Sequence, residues 1–123
     1  MKKGNKTICV DFDGTLCCEN FPKIGKRYFI HKIIGKYIKH LHEKGWSVVL
    51  FTLRDEKNEK YPFILKEAIE ACEKWNIPID RVNENSYEAT KKYGYARKIK
   101  GDIYLDDRNF GLLGWILRRY NKT

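Results

Sequence analysis

The sequence predicts an α/β fold with a mainly parallel sheet, on three observations. Short apolar runs that read as strands alternate with segments of helical periodicity, and parallel strands require such crossover connections. Three of the apolar runs end in polar residues, at Asp11/Asp13, Thr52 and Asp106/Asp107, and ligands in such sheets bind beyond the carboxyl ends of the strands. A chain of 123 residues holds one core, so residues 1–123 read as a single domain.

The elements follow in order. Ile8-Cys9-Val10 is a continuous apolar run closed by the turn-forming Asp11-Phe12-Asp13-Gly14-Thr15, which marks a buried strand. From Tyr28 to Lys44, Phe29, Ile30, Ile33, Ile34, Tyr37, Ile38 and Leu41 recur at helical spacing, and Gly45 stands where a C-terminal cap belongs. A second strand is predicted from Trp46 to Leu53, followed by a polar loop from Arg54 to Lys60. A second helix begins near Tyr61, with Pro62 in its first turn and Leu65, Ala68, Ile69, Cys72 and Trp75 on its buried face. Asp80 to Asn83 reads as a short third strand, Ser86 to Tyr93 as a short helix closed by Gly94, and Asp102 to Leu105 as a fourth strand. Leu112 to Tyr120 reads as a terminal helix or strand. Trp46, Trp75 and Trp115 are assigned to core packing. His31, His40 and His42 show no ligand-like spacing and are assigned to surface or boundary positions.

Composition narrows the class. Hydrophobic content of 42% and aromatic content of 14% are globular values. No apolar run approaches the roughly 20 residues of a membrane helix, and no signal-peptide core opens the chain, so a cytoplasmic protein with no membrane partner is expected. Cys9, Cys17, Cys18 and Cys72 form no C-x-x-C pair, which favours a reduced compartment over disulfides or a thiolate metal site. The net charge of +9 is concentrated at the two ends of the chain. Such a field attracts phosphorylated or polyanionic ligands; a lysine-rich, solvated surface accounts for it equally well.

Strand alternation puts Asp11 and Asp13 on one side, where two carboxylates repel unless a cation is shared between them. With Asp106 and Asp107 at the same rim they form a four-carboxylate, hard-oxygen set suited to Mg²⁺. An ionised Asp beside a cation-bound phosphoryl group can attack in line and form an aspartyl-phosphate. A second carboxyl two residues on can move the protons of leaving group and water. Thr52 offers a hydroxyl, and a lysine would offer fixed positive charge to the phosphoryl oxygens.

Asp11-Phe12-Asp13-Gly14-Thr15-Leu16 resembles the first motif of the haloacid dehalogenase (HAD) superfamily of phosphotransferases. Thr52 at the end of an apolar strand is similar to that family's second motif, and Asp106-Asp107 after Ile103-Tyr104-Leu105 to its fourth. The stretches Phe21-Pro22-Lys23-Ile24-Gly25 and Asp106-Asp107-Arg108-Asn109 further resemble small, capless bacterial and phage hydrolases of this type. The resemblance implies a Rossmann-like three-layer domain without a separate cap. It implies Asp11 as nucleophile, Asp13 as acid/base with its backbone carbonyl on Mg²⁺, Asp106 as the other metal carboxylate and Asp107 as its support. For the third-motif lysine, Lys98 fits the spacing of the small homologues best, with Lys100 as the alternative. Arg54 and Arg108, each beside a motif, and Lys23 in the loop from Cys17 to Arg27 are candidate substrate contacts; surface ion pairs explain the arginines equally well.

The expected function is therefore a Mg²⁺-dependent phosphomonoester hydrolase working through an aspartyl-phosphate. The alternative is a non-enzymatic nucleic-acid-binding or regulatory module on the same fold, suggested by the basic charge. A phosphoacceptor receiver domain also uses acids, Thr and Lys, but the Asp-x-Asp-Gly-Thr opening favours the hydrolase. Without a cap, the open site suits a nucleic-acid end or phosphoprotein, or a small molecule covered by a loop or a neighbouring copy in a homo-oligomer.

Overall fold

Strand β1 (Thr7–Val10) is buried along its whole length, which only an interior strand of a covered sheet can be. The structure, a computed structural model, describes residues 6–84, 91, 99–107 and 111–121. Helix α1 (Phe29–Glu43), strand β2 (Ser47–Leu50), helix α2 (Ile64–Lys74), strands β3 (Arg81–Val82) and β4 (Ile103–Leu105) and helix α3 (Leu112–Asn121) complete the described elements. All strand pairings are parallel, in the order β3-β2-β1-β4. This is a small Rossmann-like α/β domain, as the alternation of apolar runs and helical stripes predicts. No helix among the described residues is long and apolar enough to cross a membrane.

From β1 the chain steps to β2 and then β3 in one direction, and β4 lies on the other side of β1. The strand order therefore reverses at β1, and a crevice opens beyond the carboxyl ends of β1 and β4. Right-handed crossovers in one direction put α1 and α2 on the same face. There Ile34, Ile38, Ala68 and Cys72 pack with Ile8, Val10, Val48 and Leu50, and Leu117 of α3 joins them. Cys9 and Val49, one residue out of phase, are buried on the opposite face.

Side chains extend the short ladders. Asp80 donates its N–H to the Val48 carbonyl (2.8 Å) while its carboxylate accepts from the Val48 N–H (2.7 Å), so β3 is held by more than its two residues. Asp102 makes the same reciprocal pair with Thr7 at the start of β4, 2.7 Å each way. At the far end of β3, Asn83 Oδ1 accepts from the Thr52 N–H at 2.8 Å.

Several boundaries differ from expectation for local reasons. β2 stops at Leu50 rather than Leu53, because the Thr52 N–H turns to the Asn83 side chain and Leu53 stands 98% exposed. α2 begins at Ile64 rather than Tyr61: Asn58 Oδ1 accepts from the N–H groups of Lys60 (3.0 Å) and Tyr61 (2.9 Å), an Asx turn that competes with helix. The terminal segment is a helix. Trp46 and Trp75 pack on the core as expected, but Trp115 is 52% exposed, with the Arg119 guanidinium 4.8 Å from its ring centroid. The helix expected over 86–93 lies outside the described residues apart from Lys91.

His31 is also unlike its assignment to the surface or boundary: it is fully buried. Its Nδ1 accepts from the Tyr28 N–H at 2.8 Å, and its ring lies against Tyr28 and Tyr120. Burial first, and the Arg27 charge second, pull its pKa from 6.5 down to about 4. A depressed histidine favours folding above its unfolded pKa, and that contribution is lost as pH falls from 6.5 through 4. The full span corresponds to roughly 3 kcal/mol. The variant His31→Gln, which keeps an acceptor for Tyr28 but does not titrate, is expected to lack this acid-side loss; urea unfolding at pH 7.5, 6 and 5 measures it.

Candidate functional site

The crevice beyond β1 and β4 is a cleft of about 810 Å³ whose lining includes Asp11, Asp13, Thr52, Asp106 and Asp107. The sheet register places them. Val10 pairs with Leu50 on one side and Leu105 on the other, so Asp11, Phe51 and Asp106 leave their strands at one level. Asp11 donates its N–H to the Leu105 carbonyl and Phe51 donates to the Val10 carbonyl, 2.9 Å each, which ties the three strand ends together. Behind them the chain turns sharply through Gly14 at φ 88°, a left-handed conformation that strains a residue with a Cβ.

Asp11 is half-buried at the floor of this cleft. Its Oδ1 accepts from the Phe12 N–H at 2.8 Å, which leaves Oδ2 without a donor among the described residues. Burial raises its pKa from 3.8 to about 7; the Phe12 N–H opposes this, and the charges of Asp107, Asp13 and Asp106 add to it. A carboxylate so placed is short of positive charge.

Asp13 is served differently. Its Oδ2 accepts from Arg54 Nε and its Oδ1 from Arg54 Nη2, 2.8 Å each, a bidentate pair. Arg54 is 0% exposed. Its remaining donors go to the carbonyls of Pro22 (3.2 Å) and Ile64 (3.1 Å) from Nη1 and of Lys23 (3.0 Å) from Nη2. All five N–H groups of the guanidinium are thus committed within the protein, and the group lies between the rings of Phe12 and Phe21, 5.1 and 5.4 Å from their centroids. Of the two roles expected for Arg54, substrate contact or surface ion pair, the structure shows an ion pair, but a buried one that acts as a clamp joining Asp13, the loop before α1 and the start of α2.

Thr52 Oγ1 accepts from the Arg54 N–H at 3.1 Å and keeps its own O–H as a donor. Asp106 and Asp107 are half-buried, and Arg118 Nη1 on α3 donates to the Asp107 carbonyl at 2.6 Å, which holds the exit of β4. Lys23 is not brought to the cleft. Its exposed side chain lines a separate depression with Lys60, Tyr61 and Glu67, because the Arg54 clamp on the Lys23 carbonyl turns that part of the loop away. Phe21 from the same loop does line the acidic cleft. Lys98 and Arg108 lie outside the described residues, and the alternative Lys100 is exposed and does not line the cleft.

Glu19, Phe51, Asn83 and Tyr104 line the cleft without having been expected there. Phe51 and Tyr104 read in sequence as strand residues. Only the register, which sets Tyr104 opposite Cys9 and therefore in phase with Asp11, reveals their position.

The donor set suits a hard divalent cation. Asp11, Asp13, Asp106 and Asp107 share one crevice with Glu19, and the neighbouring acidic charge that adds to burial in disfavouring ionised Asp11 is what such an ion relieves. Among the described residues no three carboxylate, imidazole or thiol groups already close into a cage. Mg²⁺ does not require one, since it keeps waters and takes one or two carboxylates together with a substrate phosphate. Asp11 and Asp106 are the residues that would hold it.

Comparison with known proteins returns a fold. No family model matches the chain, and no curated protein matches it. Among solved structures it is similar to that of a conserved protein coded by a locus of Bacteroides thetaiotaomicron, with TM-score 0.67 and 29% identity over 94% of this chain and 89% of that one.

Two outcomes follow from the geometry. Arg54→Met leaves the Asp13 carboxylate and three backbone carbonyls without their donor and is expected to cost about 3–5 kcal/mol; in a double-mutant cycle by urea unfolding, adding Asp13→Asn recovers part of that loss. Asp11→Asn acts in the opposite sense. Because the Asp11 pKa is raised on folding, its ionisation opposes folding increasingly as pH rises from 3.8 through 7. The variant is expected to match wild type near pH 4 and to be more stable by roughly 2–4 kcal/mol at pH 8, read from unfolding curves at both pH values.

Proposed function

We propose that the protein is a Mg²⁺-dependent phosphomonoester hydrolase of the HAD type, working through an aspartyl-phosphate on Asp11. The observation that supports this most is the gathering of Asp11, Asp13, Asp106, Asp107 and Thr52, from three strand ends distant in sequence, on one cleft. An ordinary polar turn would account for any one of these groups, not for all of them at one crevice.

In this reading Asp11 Oδ2, the oxygen not engaged by Phe12, attacks phosphorus. A bond forms from that oxygen to phosphorus as the ester P–O bond breaks, and the leaving oxygen takes a proton. Water then attacks the same phosphorus, the bond to Asp11 breaks with return of the carboxylate, and the products are alcohol and phosphate. Asp13 presents both oxygens in acceptor geometry against Arg54, which suits it as base toward the attacking water; protonating the leaving group requires one Arg54 contact to yield. The Thr52 hydroxyl donates to a phosphoryl oxygen. Mg²⁺, which Asp11 and Asp106 would hold, would supply the charge neutralisation that the acids and the phosphate need. Lys98 remains the proposed phosphate-binding lysine.

Hydrolysis of a panel of phosphomonoesters tests the reading. Activity is expected with Mg²⁺ and not with EDTA, and Asp11→Asn is expected to lower kcat by at least about a thousandfold. Wild-type turnover that survives Asp11→Asn would exclude the covalent route. Salt-dependent binding to nucleic acid without turnover of any ester would favour the non-enzymatic module instead.

A further inference from the structure

The floor of the cleft is acidic, but its walls are largely apolar. Phe21, Phe51, Leu53 and Tyr104 line it beside the carboxylates. Leu53 is 98% exposed, Phe21 44% and Tyr104 37%. Large apolar side chains held in water around a polar floor forgo burial that a ligand would supply. Their rings are also held in place. The Tyr104 hydroxyl donates to the Ile99 carbonyl at 2.6 Å and accepts from the Gly101 N–H at 2.8 Å, and the ring meets Phe51 edge-on at 80° with centroids 6.3 Å apart. Phe21 meets Tyr61 at 88° and 5.8 Å, with the Arg54 guanidinium over its face. Rings already immobilised lose little entropy when a flat ligand stacks on them.

Asn83 supplies a directional group at the same cleft. Its Oδ1 is taken by the Thr52 N–H, so the amide is oriented and, among the described residues, its NH₂ end retains two donors. A sugar phosphate without a base would leave the aromatic walls with no flat partner to bury them. A simple alkyl phosphate would make no use of the amide. A planar heterocycle carrying ring acceptors uses both the stacking surface and the donors.

Resting on the phosphatase reading, we infer that the phosphate-bearing substrate is a nucleotide unit whose base lies against Phe51 and Tyr104 while its phosphate meets Asp11. The net charge of +9 aids the approach of such an anion to an acidic cleft. The nucleotide is either free or the terminal residue of a strand, since both present the same base and phosphate.

The test compares kcat/KM, with Mg²⁺, for a nucleoside 5′-monophosphate, 5′- and 3′-phosphorylated oligonucleotides, glycerol phosphate and hexyl phosphate. One or more nucleotide arms are expected to exceed glycerol and hexyl phosphate by at least about tenfold, and Phe51→Leu, which keeps an apolar side chain but removes the ring, to erase that preference. Asn83→Asp, which retains the acceptor for Thr52 but removes the NH₂ donors, is expected to change the ranking among bases. The mononucleotide arm against the oligonucleotide arms identifies the source. Equal turnover of glycerol or hexyl phosphate, or a preference that survives Phe51→Leu, overturns the inference while leaving the phosphatase reading standing. If no ester is turned over, the phosphatase reading fails by itself. Calorimetric titration of the nucleoside monophosphate with Mg²⁺ then decides the nucleotide site: saturable binding weakened about tenfold by Phe51→Leu sustains it, and absence of binding overturns it.

Discussion

A guanidinium at 0% exposure survives in a protein interior only when each of its donors meets an acceptor and its charge meets a counter-charge. Arg54 satisfies both conditions at once. Asp13 takes two of its hydrogen bonds, and the carbonyls of Pro22, Lys23 and Ile64 take the rest. The site depends on this pairing in three ways. It orients the carboxylate of Asp13, it draws the loop before α1 against the cleft so that Phe21 forms a wall, and it fastens the start of α2 to the carboxyl end of β1. The rest of that loop is pinned from its far side: Arg27 donates to the carbonyls of Leu16 (2.9 Å) and His31 (3.0 Å), and a Cβ at Gly25 would run into the Cys18 carbonyl oxygen.

The acids are thereby divided. Asp13 has a buried counter-charge, while Asp11, two residues away, has one backbone N–H and three acidic neighbours. Burial acts in opposite senses on an acid and a base of this molecule, raising Asp11 to about 7 and lowering His31 to about 4. Both are cases of a low-dielectric interior rejecting charge. They differ in what surrounds them. His31 is enclosed by aromatic rings and gains nothing by being charged, whereas Asp11 opens onto a cleft where a cation and a phosphate can reach it.

The sheet, both long helices and the strand-end acids were legible in sequence because they rest on local signals. Apolar period and turn chemistry mark Ile8–Val10 and Val48–Leu50, and the helical stripe through Ile34 and Ile38 requires only its own spacing. The misreadings share one cause, which is that burial is set by what lies opposite. Arg54 follows a strand in a run of charges and looks solvated, yet the sheet brings Asp13 against it across 41 residues. His31 lies on α1 among lysines, and the packing of Tyr28 and Tyr120 encloses it. Lys23 is two residues from Phe21, and the clamp on its own carbonyl sends the two side chains to different depressions.

Sequence alone determined that this chain forms a parallel α/β sheet and that carboxylates and a hydroxyl stand at its strand ends, since strand period and turn residues act over a few positions. Only the tertiary structure decided which of those groups share a cleft, that Asp13 belongs to Arg54 while Asp11 stays short of positive charge, and that Phe51 and Tyr104 face the site. Those outcomes depend on register and strand order, where a shift of one residue turns every side chain to the other face, and no local stretch of sequence contains that information.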